Sequence, residues 1–161
     1  MSVGKHRVVA VSILAVGTLT LLAWGRSMAH DPVGIQSVRD RLRGAWVATK
    51  VEAGGKQKAE VDAAATRVEF AGKEVAFRSL IEGGDAHGTY FVDPAAKPAK
   101  IDFKLDAGWV VGVYRLSADE LTLCVNPLAL PERLGVPTRY RPRQLGAGKD
   151  HHRYVFRKAT P

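Results

Sequence analysis

One cysteine, Cys124, among 161 residues leaves no partner for an intrachain disulfide and too few thiolates for a cysteine-rich zinc module. No G-x-S-x-G elbow, H-E-x-x-H helix, C-x-x-C pair or G-x-G-x-x-G turn occurs, so the usual signatures of hydrolase, metalloprotease, thiol-redox and dinucleotide chemistry are missing. Gly146-Ala147-Gly148-Lys149 is no phosphate loop, because Asp150 follows the lysine where a hydroxyl is needed and Arg143 stands at the first glycine position. His151 and His152 are adjacent and point to opposite faces of a strand, and no H-x-x-x-H spacing supports a metal site. No catalytic residue, metal site or cofactor is assigned. Aromatic residues make up only 7% of the chain, but 46% hydrophobic content is ordinary for a folded domain.

Acidic residues are absent from the first 29 positions, which carry Lys5, Arg7 and Arg26 around an uncharged run, 8–24 (VVAVSILAVGTLTLLAW). Ser27-Met28-Ala29 then supplies small residues at the −3 and −1 positions of a cut. A basic start, an apolar centre and a small-x-small end predict an export signal cleaved after Ala29. The rival is an uncleaved anchor, since the 17-residue run lies above the ~7 to 15 usual for a signal and at the lower edge of the ~17 to 25 that span a bilayer. The expected product, 30–161, is one periplasmic or extracellular domain of 132 residues with 21 cations and 16 acids.

Within that domain, Ile35, Val38 and Leu42 are spaced for one face of a short helix, 35–42. Gly44 ends it, and the period becomes two. Strands are predicted over 45–53, 66–71, 74–81, 87–92, 100–106, 109–116, 120–125 and 152–158, with turn residues between nearly all neighbours. Pairs such as Val68/Phe70, Val75/Phe77 and Ile101/Phe103/Leu105 alternate with polar residues, giving each strand an apolar face and a wet one. Short links favour a single antiparallel up-and-down eight-stranded barrel, an all-β fold preceded by the short helix. Such a barrel holds packed side chains or one small ligand. Residues 56–65 are expected to form a turn of helix or a lid, and 126–151 a long loop. Asp102 and Asp106 share strand parity ~13 Å apart at strand rise, too wide for a retaining carboxylate pair, and read as a solvated face.

Gly44-Ala45-Trp46 on the first strand, with Arg157 near the end of the last, resembles the G-x-W and arginine signature of the lipocalin superfamily. The ordered set Leu42-Arg43-Gly44-Ala45-Trp46, Gly88-Thr89-Tyr90, Pro98-Ala99-Lys100-Ile101-Asp102, Gly112-Val113-Tyr114-Arg115-Leu116, Leu121-Thr122-Leu123-Cys124 and Phe156-Arg157-Lys158 is similar to a lipocalin-like domain family of planctomycete bacteria. The resemblance implies a barrel, an exported setting and an Arg157 guanidinium packed across Trp46 at the closed end. It implies no reaction.

Two binding readings follow. In one, the interior, lined from candidates Phe70, Phe77, Phe91 and Phe103, takes a small apolar or amphipathic ligand. In the other the barrel is filled and docks on an anionic envelope surface or partner through a basic late loop. Residues 133–158 carry eight cations and one acid, whereas 30–132 carry 13 cations and 15 acids. The positive excess is therefore local, and its candidates are Arg139, Arg141, Arg143, Lys149 and Arg153. A charge run of this kind also fits a solvated loop with no partner at all. Export disfavours nucleic acid as the partner. A monomer is expected, with Cys124 a buried structural thiol.

Overall fold

The computed structural model describes residues 32–57, 65–81, 84–127, 138–146 and 148–159. The expected export signal, its cut after Ala29 and most of 56–65, expected as a turn of helix or a lid, lie outside these residues. The chain runs through helix α1 (Pro32–Leu42) and strands β1 (Gly44–Ala53), β2 (Lys56–Gln57), β3 (Arg67–Ala71), β4 (Glu74–Ile81), β5 (Gly84–Asp93), β6 (Lys100–Leu105), β7 (Gly108–Leu116), β8 (Glu120–Val125) and β9 (His152–Lys158). From β3 to β9 each strand pairs antiparallel with its sequence neighbour, and β9 returns to pair with β1. The result is a closed eight-stranded up-and-down barrel. The two-residue β2 adds no stave: it pairs with Glu52 and Ala53 on the same edge of β1 that β3 takes at residues 44–47. Closure leaves no long unpaired edge, the feature that makes open sheets prone to aggregation.

Alternation decides what fills the barrel. Val68 and Phe70 on β3, Val75 and Phe77 on β4, Tyr90 and Val92 on β5, Ile101, Phe103 and Leu105 on β6, and Tyr154 and Phe156 on β9 form one buried core cluster. Phe77 packs edge-on against Phe103 at 4.9 Å between ring centroids, and Phe70 against Tyr90 at the same distance. On β1 the parity changes midway. Ala48 pairs with Phe156 and Lys50 with Val155, so Thr49 is an extra residue in the ladder. Its hydroxyl donates to the Val155 carbonyl at 3.1 Å. This bulge lets Trp46, Ala48 and Val51 all point inward. Among the described residues, the cluster from Leu42 to Phe156 is drawn from the barrel strands and the helix.

Helix α1 closes one end. Leu42 is fully buried, with Ile35 and Val38 packed against the cluster. The chain turns from helix to strand through Gly44 at φ +108°, a conformation that side chains rarely adopt. Two residues on, the Trp46 indole N–H donates back to the Leu42 carbonyl at 2.7 Å. Lys158 donates to the Arg41 carbonyl at 3.3 Å, so two of the helix's terminal acceptors are satisfied from the barrel. Arg41 in turn donates to the Leu116 and Ser117 carbonyls, pinning the helix to the β7–β8 turn at the same end of the barrel.

Trp46 therefore joins the core, the helix end and the closing strand. Replacing it with alanine should cost ~3 to 5 kcal/mol, the range for other large aromatic truncations. Urea or guanidinium melts read this directly; a loss below about 1 kcal/mol would mean that the barrel end does not depend on the indole.

Candidate functional site

Strands β7 and β8 are buried on both faces. Val110 and Tyr114 point into the core, yet the outward Val111 and Val113 are also buried, and so are the outward Thr122 and Cys124 beside the inward Leu121, Leu123 and Val125. The basic segment 138–146, which opens with a 3-10 turn, Thr138–Tyr140, meets β7 at the Gly112 carbonyl and β8 at Cys124. Arg141 lies at its centre. Its guanidinium forms a two-pronged ion pair with Asp102 on β6, through Nη1 to Oδ1 and through Nη2 to Oδ2 at 2.8 Å. Nη1 also donates to the Gly112 carbonyl on β7 at 2.9 Å. The two side chains are only 10% and 18% exposed, so this is a partly desolvated, geometrically fixed pair and not a surface contact. Pro142 is buried beside it, and the Cys124 thiol donates to the Gly146 carbonyl at 3.3 Å. The segment is a strap held against the outer wall.

The candidate cations thus divide. Arg141 serves as the strap's anchor, and Asp102, expected on a solvated face, is its partner. Arg153 on β9 pairs with Glu52 at 3.0 Å. Lys50, at 2.6 Å, and then Arg153 hold the Glu52 carboxyl below its ordinary range. Arg139, Arg143 and Lys149 stay exposed, with Arg139 over the Tyr140 ring at 4.7 Å.

The interior candidates divide as well. Phe70, Phe77 and Phe103 are inside, each at most 1% exposed. Phe91 is 48% exposed and faces outward, because Tyr90 and Val92 hold the inward positions of β5. It meets Trp109 of β7 across β6, with ring centroids 5.7 Å apart. At the closed end, the cation over Trp46 is Lys158, 5.5 Å from the ring, in place of Arg157. Lys158 shares the inward parity of Tyr154 and Phe156, whereas Arg157 is exposed and pairs with Val47 and Glu120 along the ladders. Gly44 and Trp46 hold the joint described above.

Among the clefts lined by described residues, two, of about 390 and 310 Å³, open on the outer wall of β3, β4 and β5. They share Glu69, Ala76 and His87; the larger adds Glu74 and Asp106. Among the described residues no group of histidine, cysteine and carboxylate side chains could hold a metal, and no helix is long and apolar enough to cross a membrane. His151 precedes β9 and His152 opens it, with the His152 ring nitrogen 3.1 Å from the Tyr154 hydroxyl.

The strap was not predicted from the sequence, although one signal pointed to it. Residues 109–114 (WVVGVY) do not alternate, and a continuous apolar run is what a strand covered on both faces requires. No family model, curated protein or solved structure matches this chain.

Two outcomes follow from the strap. Replacing Asp102 with alanine leaves Arg141 partly buried without its carboxylate. The expected cost is ~1 to 3 kcal/mol, with at least a tenfold rise in native-state labelling of Cys124 by a thiol reagent. Unchanged labelling would mean that the strap is held elsewhere. The second outcome concerns alkaline pH. Burial pushes the Cys124 thiol up to about 11 from an ordinary 9.0, with Arg153 pulling weakly the other way, and burial pushes Tyr114 up to about 12. The unfolded chain loses the thiol proton near 9.0 while the folded chain keeps it, so stability falls as pH rises from 9 to 11. Denaturant melts at pH 8 and pH 10.5 should differ accordingly, and Cys124→Ala should flatten part of that slope.

Proposed function

We propose that the chain is an exported, lipocalin-like barrel with a filled interior, acting as an interaction module that docks on an anionic surface or partner through its basic strap. The observation that carries this reading is the interior itself. Trp46, Phe77, Phe103 and Phe156 have no exposed surface, and Phe70, Tyr90 and Tyr154 are 1% exposed. A side chain without accessible area borders no space large enough for water, so an apolar guest would have to displace aromatics that stabilise the fold. Binding chemistry is then left to the outside. There, a pinned segment presents Arg139 and Arg143, with Lys149 exposed beyond it, and backbone already held in place need not be ordered on contact.

The basic, acid-free leader supports delivery to an envelope or extracellular compartment, where the resemblance to the lipocalin-like family also places the domain. It is read as a monomer without a cofactor or a catalytic role, and nucleic acid is not its partner.

Elution of the 30–161 domain from immobilised heparin, a soluble polyanion, tests the reading. Retention should fall steeply as salt rises, and joint reversal of Arg139, Arg143 and Lys149 to glutamate should abolish it without lowering the melting temperature. Retention that survives the triple reversal would overturn strap docking. Saturable uptake of an apolar dye with a raised melting temperature would return the ligand site to the interior.

A further inference from the structure

Resting on that reading, we propose that the anionic partner is a lipid bilayer, and that the Phe91 and Trp109 rings enter its interface while the strap cations hold its headgroups. Among the described residues, the exposed large hydrophobic side chains are Phe91, at 48%, and Tyr140, at 37%. They are far apart in sequence, but one ion pair brings their segments to the same wall. Phe91 lies opposite Asp102 in the β5–β6 ladder, and Asp102 holds Arg141, the residue after Tyr140. Trp109, half-buried, reaches Phe91 from β7 and stands opposite Lys104. Arg139 lies over Tyr140. Aromatic rings with polar edges, set among lysine and arginine, are the side-chain mixture that a membrane interface favours, since rings take the acyl boundary and long cations reach the phosphates.

Charge complementarity selects a negative bilayer over a neutral one. Two acids of this wall are engaged, Asp102 with Arg141 and Asp93 with Lys100 at 4.0 Å, while Asp106 stands exposed at the β6–β7 turn. Arg139 and Arg143, two residues to either side of Arg141, remain exposed. The neighbouring wall is mixed but on balance acidic, with Glu69, Glu74, Asp85 and Asp106 lining its clefts against Arg67 and Arg78. A negative surface therefore prefers the strap side, where Arg139 and Arg143 are exposed, over the mixed charges of the β3 and β4 side, and this preference favours one docking orientation. A soluble acidic protein would be attracted in the same way, but it gives the paired rings no apolar layer to enter.

The test uses the 30–161 domain, whose tryptophans are Trp46 and Trp109. Trp46 is fully buried, so a change on binding reports Trp109. With vesicles of phosphatidylglycerol and phosphatidylcholine, emission should shift to the blue, and lipids brominated near the headgroup end of the chain should quench it. Pure phosphatidylcholine vesicles should do neither. Phe91→Ser should weaken vesicle binding about tenfold or more while leaving heparin retention unchanged, whereas Arg139→Glu with Arg143→Glu should lose both. Vesicle binding without a blue shift or bromine quenching, or with an unimpaired Phe91→Ser variant, overturns bilayer entry and leaves anionic docking standing. Loss of heparin retention in the wild-type chain overturns the docking reading itself.

Discussion

The seam between β1 and β9 is the constraint on which the rest of the barrel depends. Seven residue pairs close the sheet there, and the ladder contains one surplus residue, Thr49. An unbroken β1 would carry the parity of Trp46 and Ala48 onward, aiming Lys50 and Glu52 into the core. With the bulge, Val51 takes the inward position, and Glu52 lies outside against Lys50 and Arg153. Burying Lys50 and Glu52 instead would cost several kcal/mol per charge even when paired. The bulge thus makes closure compatible with a dry interior.

Closure at eight strands also sets the volume that side chains must fill. This chain fills it with a scarce resource. Its few aromatics are concentrated inside, as Phe70, Phe77, Phe103, Phe156, Tyr90, Tyr114, Tyr154 and Trp46, and edge-on pairs let the large rings interlock at 4.9 Å. The consequence is geometric: the interior is used for stability, and under the proposed function recognition falls to the outer wall.

Strand positions were legible in the sequence because period two and glycine-rich turns depend on local residues alone. Side-chain direction was legible only where one parity was plainly apolar. On β3 and β6 the alternation of Val68/Phe70 and Ile101/Phe103/Leu105 with charge left one choice, and Phe70 and Phe103 are inside as expected. On β5, Tyr90, Phe91 and Val92 are consecutive and apolar, so nothing local says which one turns outward. Arg157 and Lys158 pose the same problem for cations: either suits an indole, and the β9 register, fixed by pairing with residues over a hundred positions away, gives the place to Lys158. The short β2 carries no apolar pattern, being Lys56 and Gln57 at the end of a glycine turn.

The strap is where composition and structure differ most in meaning. As a list of residues, 139–143 is a run of cations that water could surround. In the fold, its central arginine is spent on Asp102 and the Gly112 carbonyl, and that expenditure gives the remaining cations a defined place. A partly buried ion pair is weak evidence for net stability, because desolvation offsets most of its attraction, but it is selective about geometry. A two-pronged guanidinium contact admits one register of the strap against β6 and β7. That register brings Gly146 onto the Cys124 thiol and Arg141 onto Asp102, the ladder partner of Phe91. The surface chemistry of this domain therefore depends on one buried charge being withdrawn from solvent so that its neighbours can be held in it.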